Sequence, residues 1–537
     1  MLVAAPLLFV VLQAIFPHIA RGSLAEPFAR TLPALAEPQL LGWARNTVLV
    51  GLGVAALSAA VAAPLGVLRG LFRVPGAGLW DVAFLIPFAI PPYIAALGWI
   101  MTLQPRGYLE QLVGAHLGPF LFSYWGVVFV MTLNVFPVVY FAVSRTVGAV
   151  GARYRDAARV AGAGPWTAFR RITLPLCTPA LAASLLLVFA MAIEEFGTPY
   201  ALASRSGFLV LVTGIERKLS DYPIDLPGAA TLALTLVALA AAAFLLQQWV
   251  VGRRDFRTLA GKPKDAEPAS LGPWTLPAVV AFAAVAFVGA VAPVAAVLAT
   301  AGTRTISGGL AWSNVSTVHF EALLADSGGA LRALGTSMAL GLGAALATGL
   351  IGALSAWVVV RRPSRAARAL DFLTLTPNVV PGVVLAVGMI LLWTQPWLPA
   401  TPYNTIWVLA LAYCCLLLPF PVRYAGAALR QISPTLEDAA RVCGASTPRM
   451  FLRVVLPLIA PALVAAMLMV FAVAARELVA TVLLAPVGVR TVALFVWRQF
   501  EQGSVGLGMA MASVAIAVTM TIPVAVTLWA RRRGGFD

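Results

Sequence analysis

Long apolar runs separated by short polar breaks dominate this sequence. They fall near residues 2–19, 47–68, 80–103, 124–143, 179–199, 229–251, 275–298, 334–360, 371–394, 405–422, 460–484 and 505–530. Most match the roughly 20 residues a helix needs to cross about 30 Å of hydrocarbon, and they lack the shorter alternating pattern of a barrel strand. The pattern predicts an all-α integral membrane protein with about twelve transmembrane helices. The start, Leu2 to Phe16, resembles the apolar region of a secretory signal, but no basic flank precedes it and no small-x-small cleavage site follows. It is read as a short first transmembrane helix.

The polar, Pro-containing stretch Gly252 to Pro273 divides the runs six plus six, giving a first half over 1–252, a cytoplasmic linker over 253–273 and a second half over 274–537. Composition agrees with the pattern: 61% of the 537 residues are hydrophobic and 11% charged, with a mean hydropathy of +0.91, an excess no soluble core absorbs. The net charge of +16 gathers on no single face, which argues against a nucleic-acid partner. Basic residues instead cluster in alternate loops: Arg69 and Arg73; Arg145 to Arg171; the linker; Arg361 to Arg368; and Arg531 to Arg533. By the positive-inside rule these loops and both termini are expected in the cytoplasm of a bacterial inner-membrane protein. The cysteines (Cys177, Cys414, Cys415, Cys443) lack ligand spacing, and the histidines (His18, His116, His319) are isolated, so no metal centre is predicted from them.

The halves repeat each other. Asp81, Pro87 and Pro91 recur at one fixed offset as Asp371, Pro377 and Pro381, as does Gly51-Leu-Gly53 in Gly341-Leu-Gly343. A second fixed offset relates Pro137 to Pro419 and the stretch Asp156 to Glu195 to the stretch Asp438 to Glu477. Six helices per repeat is an even number, so both halves are expected to insert in the same orientation, related by a pseudo-two-fold axis along the membrane normal. Pro87, Pro91 and Pro92, with Pro377 and Pro381, interrupt the third and ninth runs at corresponding places.

The strongest repeated segment lies in the loops near 145–178 and 427–460. The first reads Asp156-Ala157-Ala158-Arg-Val-Ala-Gly162-Ala and then Ile172-Thr-Leu-Pro175; the second reads Asp438-Ala439-Ala440-Arg-Val-Cys-Gly444-Ala and then Val454-Val-Leu-Pro457. Each predicts a small-residue helical turn, a glycine break and a short helix opened by proline (Pro165, Pro448). Phe169 beside Arg170 and Arg171, and Phe451 beside Arg453, suggest an apolar anchor next to positive charge, suited to a soluble partner.

These segments resemble the EAA loop, E-A-A-x3-G-x9-I-x-L-P, of the permeases of binding-protein-dependent ABC importers. The departures are Asp156 and Asp438 for glutamate, with Glu437 just before the second aspartate, and Val454 for isoleucine. The resemblance implies that Asp156, Ala157, Ala158, Gly162, Pro175, Glu437, Asp438, Ala439, Ala440, Gly444 and Pro457 couple the chain to two copies of a cytoplasmic ABC ATPase. It also implies that an external binding protein, periplasmic or lipid-anchored, delivers the cargo. The chain has no GxxxxGK[ST] loop, and Ile306-Ser-Gly-Gly-Leu310, which echoes an ATPase signature, is read as an external turn. No enzyme activity and no cofactor of its own are expected; ATP and Mg belong to the partners.

The resemblance covers nearly the whole chain and is greatest to fused ferric-iron permeases, while neighbouring members carry thiamine, polyamine, phosphonate, sulfate or molybdate. Glu194, Glu195, Arg476 and Glu477 stand in or at the ends of apolar runs, where a charge costs about 2.5–3.5 kcal/mol on insertion scales. Glu195 and Glu477, equivalent by the repeat, either line the pathway or gate, where carboxylates suit a hard cation, or join Arg476 in a structural ion pair; the metal ligands stay open. A secondary transporter of the major-facilitator type also has six plus six helices, but gives no reason to repeat the loop.

Overall fold

The computed structural model describes residues 3–19, 22–203, 206–252 and 268–532 and is helical almost throughout. Among the described residues the β contacts are two isolated bridges, Phe72 with Ala269 and Thr303 with Val315. Eight helices are long and apolar enough to cross a membrane: Pro38–Leu71, Tyr124–Ala149, Trp166–Glu194, Leu226–Gly252, Gly272–Ala301, Ala330–Arg361, Ile406–Gln431 and Thr447–Ala474. The third and ninth apolar runs are bent pairs, Ala77–Ala89 with Pro92–Val113 and Arg365–Asn378 with Gly382–Trp393, turning through 96° and 112°. Two shorter apolar helices, Ala4–Ile15 and Val505–Thr521, account for the first and last runs.

The bends follow from proline. Pro91 and Pro381 are extended, with ψ of 131° and 140°, and begin new helices at Pro92 and Gly382. Proline has no amide hydrogen, so carbonyls one turn earlier lose their donors. At the first bend the buried Asn134 replaces them: its side-chain amide donates to the carbonyls of Pro87 (2.7 Å) and Ile90 (3.2 Å). In lipid no water would otherwise satisfy them.

Proline shapes three further helices in another way. π-turns at Phe169–Thr173, Phe287–Val291 and Phe451–Val455 are each followed by a proline two residues on, at Pro175, Pro293 and Pro457. A proline ring inside a helix collides with the carbonyl four residues back, and one wider turn relieves the collision without ending the helix. The Leu-Pro of each repeated loop is thus the source of its π-turn.

The chain packs as two compact units that do not follow the sequence halves. One comprises Pro38–Gly214 and Ala238–Val315; the other comprises Met1–Glu37, Ile215–Val237 and Ser316–Asp537. The first helix of each half has changed places. In one unit Gly272–Ala301 packs on Pro92–Leu103, where a Cβ on Gly98 would stand 2.7 Å from the Pro293 carbonyl oxygen. In the other, Ala4–Ile15 packs on Gly382–Trp393, and a Cβ on Gly388 would stand 2.5 Å from the Pro6 carbonyl oxygen. Gly98 and Gly388 are equivalent by the repeat, and each admits a backbone that any side chain would exclude. The halves at 1–252 and 274–537 therefore describe the repeat, while packing exchanges the first helix of each and also groups Ile215–Val237 of the first half with the second. Of the predicted linker, 253–267 lies outside the described residues; beyond it Ala269 exchanges backbone hydrogen bonds with Arg73 and Leu71.

Gly51 and Gly341 serve as matching contact points. A Cβ on Gly51 would meet the Phe189 ring at 2.6 Å, and one on Gly341 the Phe471 ring at 3.1 Å. Glycine and phenylalanine alike are related by the two repeat offsets.

Candidate functional site

The second repeated loop runs from the helix Pro419–Gln431 through Thr435–Val442, Thr447–Met450 and the π-turn into Leu456–Ala474. Thr435–Val442 ends in a Schellman motif. Gly444 has φ +78°, the Ala445 amide donates to the Ala440 carbonyl (3.0 Å) and the Gly444 amide to that of Arg441 (2.9 Å). Glycine adopts this left-handed geometry without the Cβ collision other residues meet. The first loop repeats the device on the helix Tyr124–Val160: Gly162 has φ +80° and the Ala163 amide donates to the Ala158 carbonyl (2.8 Å). Asp156 and Ala157 lie on that helix, and their side chains are outside the described residues.

Small residues let each turn sit close against its own unit. Ala158 is buried and Ala440 half-buried, whereas Asp438, Ala439, Gly162 and Gly444 are exposed. Val160 and Val442, just before the glycines, are 91% and 88% exposed. The expectation of an exposed phenylalanine anchor needs correction: Phe451 is buried edge-on against Trp357, with ring centroids 5.7 Å apart. It shares a core with Met450, Val455 and Ile459. Phe169 is half-buried and stacks on Trp166, and that tryptophan is the exposed aromatic. The buried spacing 451, 455, 459 is a helical stripe, a signal in the sequence that marked a core face.

Glu437 also turns inward. Its buried carboxylate accepts hydrogen bonds from Arg361 Nε (2.6 Å) and Trp357 Nε1 (3.1 Å). Arg361 further donates to the Ile432 carbonyl (2.8 Å), and the Arg362 guanidinium lies 5.1 Å from the Trp357 ring centre. Glu437 therefore holds the loop against the end of Ala330–Arg361 rather than forming its outer surface. Arg441 pairs with the exposed Asp438 at 2.9 Å. This strut escaped sequence reading; its one signal was an acid, Glu437, where the first copy has Arg155.

The four membrane-embedded charges stand at helix breaks, two in each unit. Glu194 ends its helix and Glu195 is extended. The Glu195 carboxylate accepts from the Thr198 amide at 2.9 and 3.1 Å, capping the short helix Gly197–Ala203. Glu477 does the same for Val479–Leu484, accepting from the Ala480 amide at 2.8 Å. Both short helices pack on the second limb of the bent pair in their own unit. Gly197 lies so close to Tyr93 that a Cβ there would stand 2.7 Å from the tyrosine's own. A carboxylate at such a break has a structural reason to exist, since it accepts from amides that the interrupted helix leaves without a carbonyl partner. All four side chains are only half-buried. Among the described residues, no three His, Cys, Asp or Glu side chains gather closely enough to hold a metal ion.

The family model of the binding-protein-dependent transport system inner membrane component matches residues 62–255 and again 348–533, once in each half. The chain belongs to this family. It is accordingly a multi-pass inner-membrane transport component, and each match includes one repeated loop. Similar proteins include the ferric transport system permease protein FbpB of Actinobacillus pleuropneumoniae, 26% identical over 79% of this chain and 61% of its own length. The Fe(3+)-transport system permease protein FbpB 2 of Haemophilus influenzae is 24% identical over 90% of this chain and 88% of its own. The molybdenum transport system permease protein ModB of Escherichia coli is 29% identical over 40% of this chain and 96% of its own. The chain spans 61% and 65% of the length of two of the FbpB relatives it matches.

Proposed function

We propose that this inner-membrane component is the permease of an ATP-driven ferric-iron importer, with both halves in one polypeptide and both termini cytoplasmic. The observation that carries the reading is the pair of Schellman turns at Gly162 and Gly444, each leading through a short helix and a π-turn into a membrane span. Such a turn presents an exposed knob on a rigid stem, so a force on the knob moves the helix below it. Two copies of a cytoplasmic ABC ATPase would grip the two knobs, and closure of the ATPases on ATP would rock the bundles outward. An external binding protein would then release its cargo. Ferric iron is favoured by the relatives bearing that description, one of which aligns over 90% of this chain. The ModB relative supports a molybdate-type oxyanion as the second reading.

The test is reconstitution of the full chain with its ATPase and binding protein in vesicles, following ferric iron and molybdate separately. ATP-dependent accumulation of iron is expected. Equal iron uptake without the ATPase would overturn the importer reading, and uptake of molybdate alone would replace the cargo.

A further inference from the structure

We propose that the second half carries a pocket for the headgroup of an anionic phospholipid, which the first half has filled in. A cavity of about 290 Å³ lies where Ala330–Arg361, Arg365–Leu375 and Pro419–Gln431 meet. Its apolar walls include Val359, Leu375 and Val422, and its polar groups are Asp371, Arg423 and Arg430.

The repeat supplies the reference state. In the first half the equivalent aspartate, Asp81, accepts hydrogen bonds from Arg69 Nη2 (2.8 Å) and from the Tyr140 hydroxyl (2.7 Å). Tyr140 packs on Phe141, with ring centroids 5.0 Å apart. By the two offsets, Arg69 and Tyr140 become Val359 and Val422, while Phe141 and Gly148 become Arg423 and Arg430. The valines are too short to reach Asp371 or to occupy the space, and the cavity is what remains. Arg423 and Arg430 are two helical turns apart on one face, are exposed, and form no ion pair with any described residue.

Free guanidinium groups above an apolar wall match a phosphate diester carried on acyl chains. Asp371 adds an acceptor, which suits a headgroup with hydroxyl donors such as phosphatidylglycerol. The apolar walls favour the lipid over free phosphate, as does Phe372, 72% exposed beside the pocket.

Native mass spectrometry of the full detergent-purified chain tests this, titrating phosphatidylglycerol, phosphatidylcholine and inorganic phosphate in parallel. Phosphatidylglycerol should bind preferentially, with affinity lowered about 5-fold by Arg423→Ala or Arg430→Ala and roughly 30-fold by both. A second variant, Val359→Arg with Val422→Tyr, rebuilds the first-half filling and should lose the lipid while keeping the wild-type melting temperature in lipid-free detergent. Wild-type affinity in the double arginine variant would overturn the proposal, as would inorganic phosphate binding as tightly as the lipid.

Discussion

The two repeated loops share a backbone and differ in what ties them down. Each has a left-handed glycine, a short helix and a π-turn ahead of a proline. Only the second is clamped by an inward glutamate, Glu437 on Arg361 and Trp357; the first has Arg155, Leu71 and Val67 at those positions. Among the described residues the first half has an ion pair one helix away, Asp81 with Arg69, and Tyr140 donates to the same aspartate, where the second has Asp371 lining a pocket with two valines. The two copies keep the turn and vary the fastening: φ of +80° and +78° favours glycine at both turns, whereas ion pairs at different places hold the helices beside them.

The sharpest test of the shared part is Gly162→Val together with Gly444→Val. Each β-branched residue meets a left-handed backbone, a strain of order 1–3 kcal/mol, at a site with open space around it. ATP-driven uptake should fall below detection while the chain still inserts and folds, with a melting temperature lowered by no more than this strain accounts for. Normal transport in this variant would show that the turns transmit nothing.

The fastenings should separate the halves. Glu437→Ala leaves Arg361 without its buried partner and should lower stability by about 3–5 kcal/mol, seen as a lower melting temperature in detergent. Smaller, and confined to the other half, Asp81→Asn should cost roughly 1.5–3 kcal/mol through lost charge-assisted hydrogen bonds. Asp371→Asn should fall within about 0.5 kcal/mol of wild type. Equal effects of the two aspartates would erase the distinction between the halves. The smallest stability change belongs to Glu195→Gln and Glu477→Gln, which keep the capping acceptor and remove only the charge. Stability should stay within about 0.5 kcal/mol. A drop in iron uptake would then assign the charges to the pathway, and unchanged uptake would leave them as caps.

Hydropathy and proline reported the helices well, because both act along the chain: the run near 80–103 breaks at Pro91 and the run near 371–394 at Pro381. The loop turns were legible for the same reason, since a left-handed glycine after a small-residue helix is a local requirement. The inward turn of Glu437 was not, because Asp438 beside it offers the same charge and only the packing of Trp357 and Arg361 selects between them. Phe451 misled because an aromatic beside arginine suits either a core or an interface, and its stripe with Val455 and Ile459 decides for the core. The helix exchange left no mark that periodicity detects: Gly98 and Gly388 look like any small residue in a membrane helix until Pro293 and Pro6 are seen against them.

That exchange sets a schedule for biogenesis. Ala4–Ile15 leaves the ribosome well before its seat on Gly382–Trp393, which is made more than 360 residues later. At 5–20 residues per second this helix waits roughly 20–75 s in the bilayer without its partner. A chain severed within 253–267 would yield two fragments, each lacking a helix that its own unit packs around and holding one that packs in the other, so neither should mature unless both are made in the same cell.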